Sequence, residues 1–154
     1  MIASIKRASD IFKIEPELIR AIIEAESNGN QYAIRYEPKF FRWLTNRFKV
    51  MRKKVSMTEM VGRSMSWGPM QVMGQVAREL GYKRDFPMLC EEWVGIFYGT
   101  KHLYNKISKY GHLEGISAYN QGSPRRKRNG EFKNQYYVDK VIRYYEHYKK
   151  YGYE

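Results

Sequence analysis

Ile19, Ile22 and Ile23 recur at the three-to-four-residue spacing of a helix, in a segment that opens on Pro16 and runs to Ser27. Proline suits a first helical turn, so the spacing predicts an amphipathic helix over Pro16–Ser27. A stripe of this kind must be covered by another element, which commits the chain to packed helices. Similar patterns predict helices over about 2–12, 39–49, 75–80, 91–110, 113–120 and 134–151. The stretch 64–71 carries too much turn chemistry for a regular element. No convincing period-two alternation appears, although the 47–65 region leaves room for a short β-hairpin. The expectation is a mainly α fold in a single domain over 1–154, without linker or repeat.

Glu26 continues the isoleucine stripe at spacings of seven, four and three, whereas Glu17, Arg20 and Glu24 form a separate polar face. A carboxylate on the buried side loses hydration, which favours its protonated form and raises its pKa. An acid still protonated near neutral pH is what general-acid catalysis requires. The competing explanation is a glutamate that bends out to water at a helix end. Spacing alone does not choose between them.

The chain holds 28 Lys and Arg against 16 Asp and Glu, a formal net charge of +12 over 154 residues. That excess favours a polyanionic partner: nucleic acid, anionic lipid or an acidic cell-wall polymer. With 43% hydrophobic residues the chain is too apolar to be disordered. Cys90 is the only cysteine, so no intramolecular disulfide is possible, and a small buried hydrophobe is its simplest role. His102, His112 and His147 lack metal-ligand spacing, so neither a metal nor a cofactor is expected. No apolar run reaches the length of a membrane span, and no membrane insertion is expected. Met1–Arg7 lacks the apolar run of a secretory signal, so the expected site of synthesis is the cytoplasm, with export left to another agent.

Three segments invite a joint reading. Glu26-Ser27 ends its helix and meets Asn28-Gly29-Asn30, residues tolerant of left-handed backbone. Gly68-Pro69-Met70-Gln71 offers close backbone approach and a glutamine able to donate to and accept from sugar hydroxyls or acetamido groups; equally, it is a tight turn with methionines packed inward. Ala118-Tyr119-Asn120-Gln121-Gly122 offers a ring face for a sugar and an amide for an N-acetyl group; equally, it is a helix end with a glycine cap and a core tyrosine.

Taken in order, with Tyr137-Val138 following, these segments resemble the soluble lytic transglycosylase family, whose lysozyme-like fold is shared with goose-type lysozymes. The likeness spans about Leu18 to Val141; each motif is short, and the order of all four makes it specific. It implies that Glu26 is the catalytic acid and that Ser27 orients the carboxylate or the substrate. It further implies that Met70 and Gln71 line a glycan groove, that Tyr119 and Asn120 contact an N-acetylated sugar, and that Tyr137 closes the site from the last helix. Pro69 replaces the leucine usual in the family, and about forty residues separate Glu26 from Gly68, more than a minimal member needs.

The implied substrate is the β-1,4 bond of peptidoglycan between N-acetylmuramic acid and N-acetylglucosamine. A transglycosylase needs one carboxylate, giving 1,6-anhydromuramyl ends, whereas a muramidase-type hydrolase generally uses two. Glu37 is the nearest later acid and the candidate for a second carboxylate, or else simply a partner of Arg35. The expected partner is the peptidoglycan glycan strand, met by a monomer, with no nucleic acid. Small size, basicity and the missing signal suggest a phage-type endolysin that reaches the bacterial cell wall after release. The run Arg125-Arg126-Lys127-Arg128 is read as a solvated loop.

Overall fold

Pro16 opens helix α2 (Pro16–Ser27), and Asn28 closes it in the left-handed region at φ 54°, donating its N–H to the Glu24 carbonyl. The computed structural model, which describes residues 1–153, places this helix in the middle of the molecule. It is preceded by α1 (Ile2–Phe12) and followed by β1 (Ile34–Tyr36), α3 (Pro38–Val50), α4 (Met57–Arg63), β2 (Met65–Trp67) and β3 (Val72–Met73). Then come α5 (Gly74–Glu79), a 3-10 turn (Phe86–Cys90), α6 (Glu92–Tyr110), α7 (His112–Gln121) and α8 (Gln135–Tyr151). The fold is mainly α and lysozyme-like, as expected.

The stripe of α2 does what its spacing demands. Leu18, Ile19, Ala21, Ile22 and Ile23 are buried, chiefly against α8. Each large aliphatic side chain buried this way contributes about 1.5–3 kcal/mol relative to exposure. Helix α6 packs against α1 on one side and α7 on the other. Ile5, Leu103, Ile116, Val138 and Val141 complete the main core from α1, α6, α7 and α8.

The three strands form one antiparallel sheet in the order β1-β2-β3, with Ile34 opposite Trp67 and Trp67 opposite Val72. This differs from the hairpin foreseen in 47–65. There the chain closes α3, crosses an exposed loop and enters α4, because the Ser56 hydroxyl accepts from the Glu59 N–H and caps a new helix. Only Met65 of that range reaches the sheet, and β2 lies in a stretch that its turn residues had marked as irregular.

Helices α3 and α4 hold a small core of their own, Leu44, Phe48 and Met60, with Phe40 and Phe41 against it. Glu59 fastens this pair to α5. It receives Arg63 Nε at 2.8 Å and Arg78 through both Nε (2.8 Å) and Nη2 (3.0 Å). Arg78, whose guanidinium also lies 4.0 Å over the Phe86 ring, is the main reason the Glu59 carboxyl is held below its ordinary pKa.

The turn between β2 and β3 leaves no room for a side chain at its first residue. Gly68 has φ +74°, and a Cβ there would lie 2.2 Å from the Leu89 carbonyl oxygen, a backbone atom that cannot swing aside. Gly68→Ala should therefore destabilise the protein by about 2–4 kcal/mol. Urea unfolding followed by far-UV circular dichroism checks this, and an unchanged midpoint would contradict the steric argument.

Candidate active site

Helix α2 delivers Glu26 in its last turn, on the floor of a groove of about 780 Å³. Its Oε1 accepts a hydrogen bond from the Tyr137 hydroxyl of α8 at 2.7 Å. Burial raises the Glu26 pKa above the ordinary carboxyl value and is the largest influence on it. The Tyr137 bond and the charges of Arg35 and Lys140 pull the other way. Lys140 itself is anchored by the Ala25 carbonyl at 2.7 Å. The phenols of Tyr137 and Tyr119 are both pushed well above their usual pKa, first by burial and then by Glu26, so they remain donors.

Beside the acid, the β2–β3 turn is clasped from three directions. The Ser27 hydroxyl donates to the Pro69 carbonyl at 2.7 Å, the Tyr119 hydroxyl donates to the Met70 carbonyl at 2.7 Å, and the Gln71 amide donates to the Ala33 carbonyl at 2.9 Å. Gln71 sits at φ 47°, a left-handed conformation unusual for a residue with a side chain.

A partly buried acid with a raised pKa, in a groove framed by this turn and by the end of α7, has what general-acid chemistry requires. The whole chain, compared with known families, matches the Transglycosylase SLT domain over residues 3–141. It belongs to that family. The enzyme is thus a peptidoglycan lytic transglycosylase by class. No curated protein and no solved structure matches it significantly.

The residues singled out from the sequence fall into two groups. Glu26, Gln71, Tyr119 and Asn120 line the groove. Ser27, Met70 and Tyr137 shape it from behind: Ser27 holds the turn and Tyr137 holds the acid. Met70 is fully buried, packed against Gly99 with its sulfur 3.8 Å from the Thr100 hydroxyl, so its side chain lies beneath the groove rather than in its lining. Its apolar side chain gains from the core there, and only its carbonyl serves the site, as the acceptor of Tyr119. Tyr119 likewise spends its hydroxyl on the turn, leaving ring surface for the groove. Gln71 commits its amide nitrogen to backbone carbonyls, which leaves its side-chain oxygen for a ligand. Asn120 is the converse: its oxygen accepts from Asn134 at 3.1 Å, so its amide protons remain to meet an acceptor such as an acetamido carbonyl.

Several groove residues escaped the sequence reading. His102, Asn105, Lys106 and Lys109 of α6 all line the groove, and their spacing of three, four and seven was a readable polar stripe. His102 lies 4.9 Å from the Tyr119 ring, and its pKa is lowered to about 4, mainly by burial and then by Lys106. It is therefore neutral under physiological conditions. Phe40 and the half-exposed Trp43, 5.3 Å apart, bring α3 to the groove edge; their spacing had marked only a helix. Arg35 carried no motif, and only the β1–β2 pairing shows why its charge is felt at Glu26.

Because Tyr137 and Arg35 both lower the Glu26 pKa, removing either leaves the acid form populated to higher pH. Tyr137→Phe and Arg35→Gln should each move the alkaline limb of the kcat/KM profile upward. A limb that stays in place in both variants would show that Glu26 does not set it.

Proposed function

We propose that the enzyme cleaves the β-1,4 bond between N-acetylmuramic acid and N-acetylglucosamine by a single-glutamate lytic transglycosylase reaction. The observation that carries this reading is the state of the groove's carboxylates. Glu26 alone combines burial with a raised pKa; Glu37 accepts from Arg35 Nε at 2.6 Å, and Glu79 accepts from Gln75 at 2.8 Å.

In this reading the Glu26 carboxyl gives its proton to the glycosidic oxygen as the bond to the anomeric carbon breaks. The departing N-acetylglucosamine leaves with a neutral hydroxyl. The C6 hydroxyl of the same muramic residue then bonds to the anomeric carbon, and its proton passes to the Glu26 carboxylate. The acid is restored, the 1,6-anhydro ring is closed, and no water is consumed. Tyr137 suits both halves: its hydroxyl stabilises the transient carboxylate without itself ionising. Positive charge from Arg35 and Lys140 has the same effect.

The second reading is a muramidase, favoured by one observation: Glu37 lines the same groove as Glu26. That carboxylate is already engaged by Arg35, whose Nε–H it would have to give up to take a proton from water. Digestion of purified peptidoglycan, with products identified by mass, separates the two. Anhydromuramyl ends are expected from the wild type, with Glu37→Gln still active and Glu26→Gln slowed by about 10²–10⁴-fold. Reducing muramic ends, together with loss of activity in Glu37→Gln, would replace the transglycosylase by the hydrolase.

We further propose a role in host lysis of the phage-endolysin kind. The support is chemical: a net charge of +12 suits an enzyme working against the anionic polymers of a bacterial envelope. Bacteria producing the enzyme should stay intact until their membrane is permeabilised and then lyse. Lysis at the same rate without permeabilisation would count against release as the controlling step.

A further inference from the structure

The tip of the α3–α4 hairpin carries a composition that the catalytic groove does not use. Residues 49–57 read Lys49-Val50-Met51-Arg52-Lys53-Lys54-Val55-Ser56-Met57: four cations, four large apolar side chains and one serine. All nine are exposed, Val50 at 85% and Met57 at 69%. No acidic residue occurs between Pro38 and Thr58. Among the described residues, Lys49, Arg52, Lys53 and Lys54 form no ion pair, whereas Arg63, Arg78, Arg126 and Lys127 elsewhere each have a glutamate.

The tip is also a built loop. Its first turn is closed by N–H donation from Met51 to Arg47, from Arg52 to Lys49 and from Lys53 to Phe48 at 2.9–3.1 Å, with Arg52 in the left-handed region at φ 52°. Ser56 then caps α4. The nine side chains are therefore displayed on a framework anchored at both ends. Their apolar members find no core: Leu44, Phe48 and Met60 fill the hairpin interior without Val50, Met51, Val55 or Met57.

We propose that this tip is an interfacial anchor for an anionic lipid surface. The cations meet headgroup phosphates, and Val50, Met51, Val55 and Met57 enter the boundary with the acyl chains. Charge alone would suit any polyanion, but a soluble polymer offers nothing to four exposed apolar side chains, whereas a lipid interface uses both kinds. Each cation held near an anionic leaflet strengthens binding about fivefold. The contact is peripheral, since no helix among the described residues is long and apolar enough to cross a membrane. Trp43 at the groove edge lies about 10 Å along the same helix from Val50. An anchored tip would thus hold the groove close to the lipid surface. The inference rests on the tip alone and does not depend on which bond the enzyme cleaves.

The test is flotation of the full chain with phosphatidylglycerol–phosphatidylcholine vesicles and with pure phosphatidylcholine vesicles at physiological salt, alongside binding to soluble polyphosphate. The wild type should bind only the mixed vesicles. Replacing the apolar set, Val50→Ser, Met51→Ser, Val55→Ser and Met57→Ser together, keeps every charge. It should weaken vesicle binding by about tenfold or more while leaving polyphosphate binding and peptidoglycan cleavage unchanged. Arg52→Gln, Lys53→Gln and Lys54→Gln together should weaken both kinds of binding. Wild-type protein that ignores mixed vesicles overturns the proposal. So does an apolar-to-serine variant that binds them like the wild type, which would leave a surface for soluble polyanions only.

Discussion

The groove depends on one backbone turn, Gly68–Gln71, and on the hydroxyl groups that hold its carbonyls. Ser27 reaches Pro69 from the end of α2, and Tyr119 reaches Met70 from α7. The Gly68 N–H and the Gln71 amide both return to the Ala33 carbonyl at 2.9 Å. Each such bond contributes only about 0.5–1.5 kcal/mol net. Their importance lies in what they join: the end of α2, the Ala33 segment and α7 meet on one turn, and leaving any of these carbonyls unpaired in the interior is costlier than the bond is strong. Ser27 is the residue next to Glu26, so the clasp that fixes the turn also fixes the end of α2 that carries Glu26. Turn, acid and groove wall form one mechanical unit.

That unit sets up a conflict between stability and chemistry. Burial makes the Glu26 carboxylate less favourable than in the unfolded chain, so its folded pKa stands above the unfolded value. The native state then holds the proton more tightly, and the stability associated with this group declines as pH rises through the folded pKa. Tyr137, Arg35 and Lys140 reduce the penalty but do not abolish it. An acid made fully comfortable by its neighbours would ionise too readily to protonate a glycosidic oxygen. The balance between burial and three moderating groups is what keeps Glu26 useful in both roles the proposed reaction asks of it.

Much of this was legible in the sequence, and the exceptions have physical causes. Helices with long periodic stripes, α2, α6 and α8, were readable because burial on one face imposes the period that produces them. Glu26 was readable because it violates its own stripe. The strands were not, because elements of two or three residues leave no local period, and β1 finds its partner far along the chain; Arg35 opposite Ser66 is visible only in the paired sheet. Met70 was misplaced because a motif records that a residue occurs beside the groove, not which way its side chain turns. Of the two readings open for its turn, methionine packed inward describes that side chain. The basic run after α7 is exposed, yet it is more ordered than a solvated loop: Arg126 pairs with Glu114 at 2.7 Å and lies 4.0 Å over the Phe132 ring, with Phe132 buried.

The long interval between Glu26 and Gly68 has a structural meaning that neither motif nor period announced. It folds as a helical hairpin with its own three-residue core, fastened to α5 mainly through Glu59 and Arg78. A core so small contributes little cohesion, so this hairpin belongs among the less stable parts of the fold. Yet its first helix places Phe40 and Trp43 at the groove edge, while its tip carries the exposed cationic and apolar residues. One continuous helix, α3, joins the two. A surface that held the tip would therefore also hold the aromatic wall, and Arg78 and Glu59 fasten the same hairpin to α5, whose Gln75, Val76 and Glu79 line the groove.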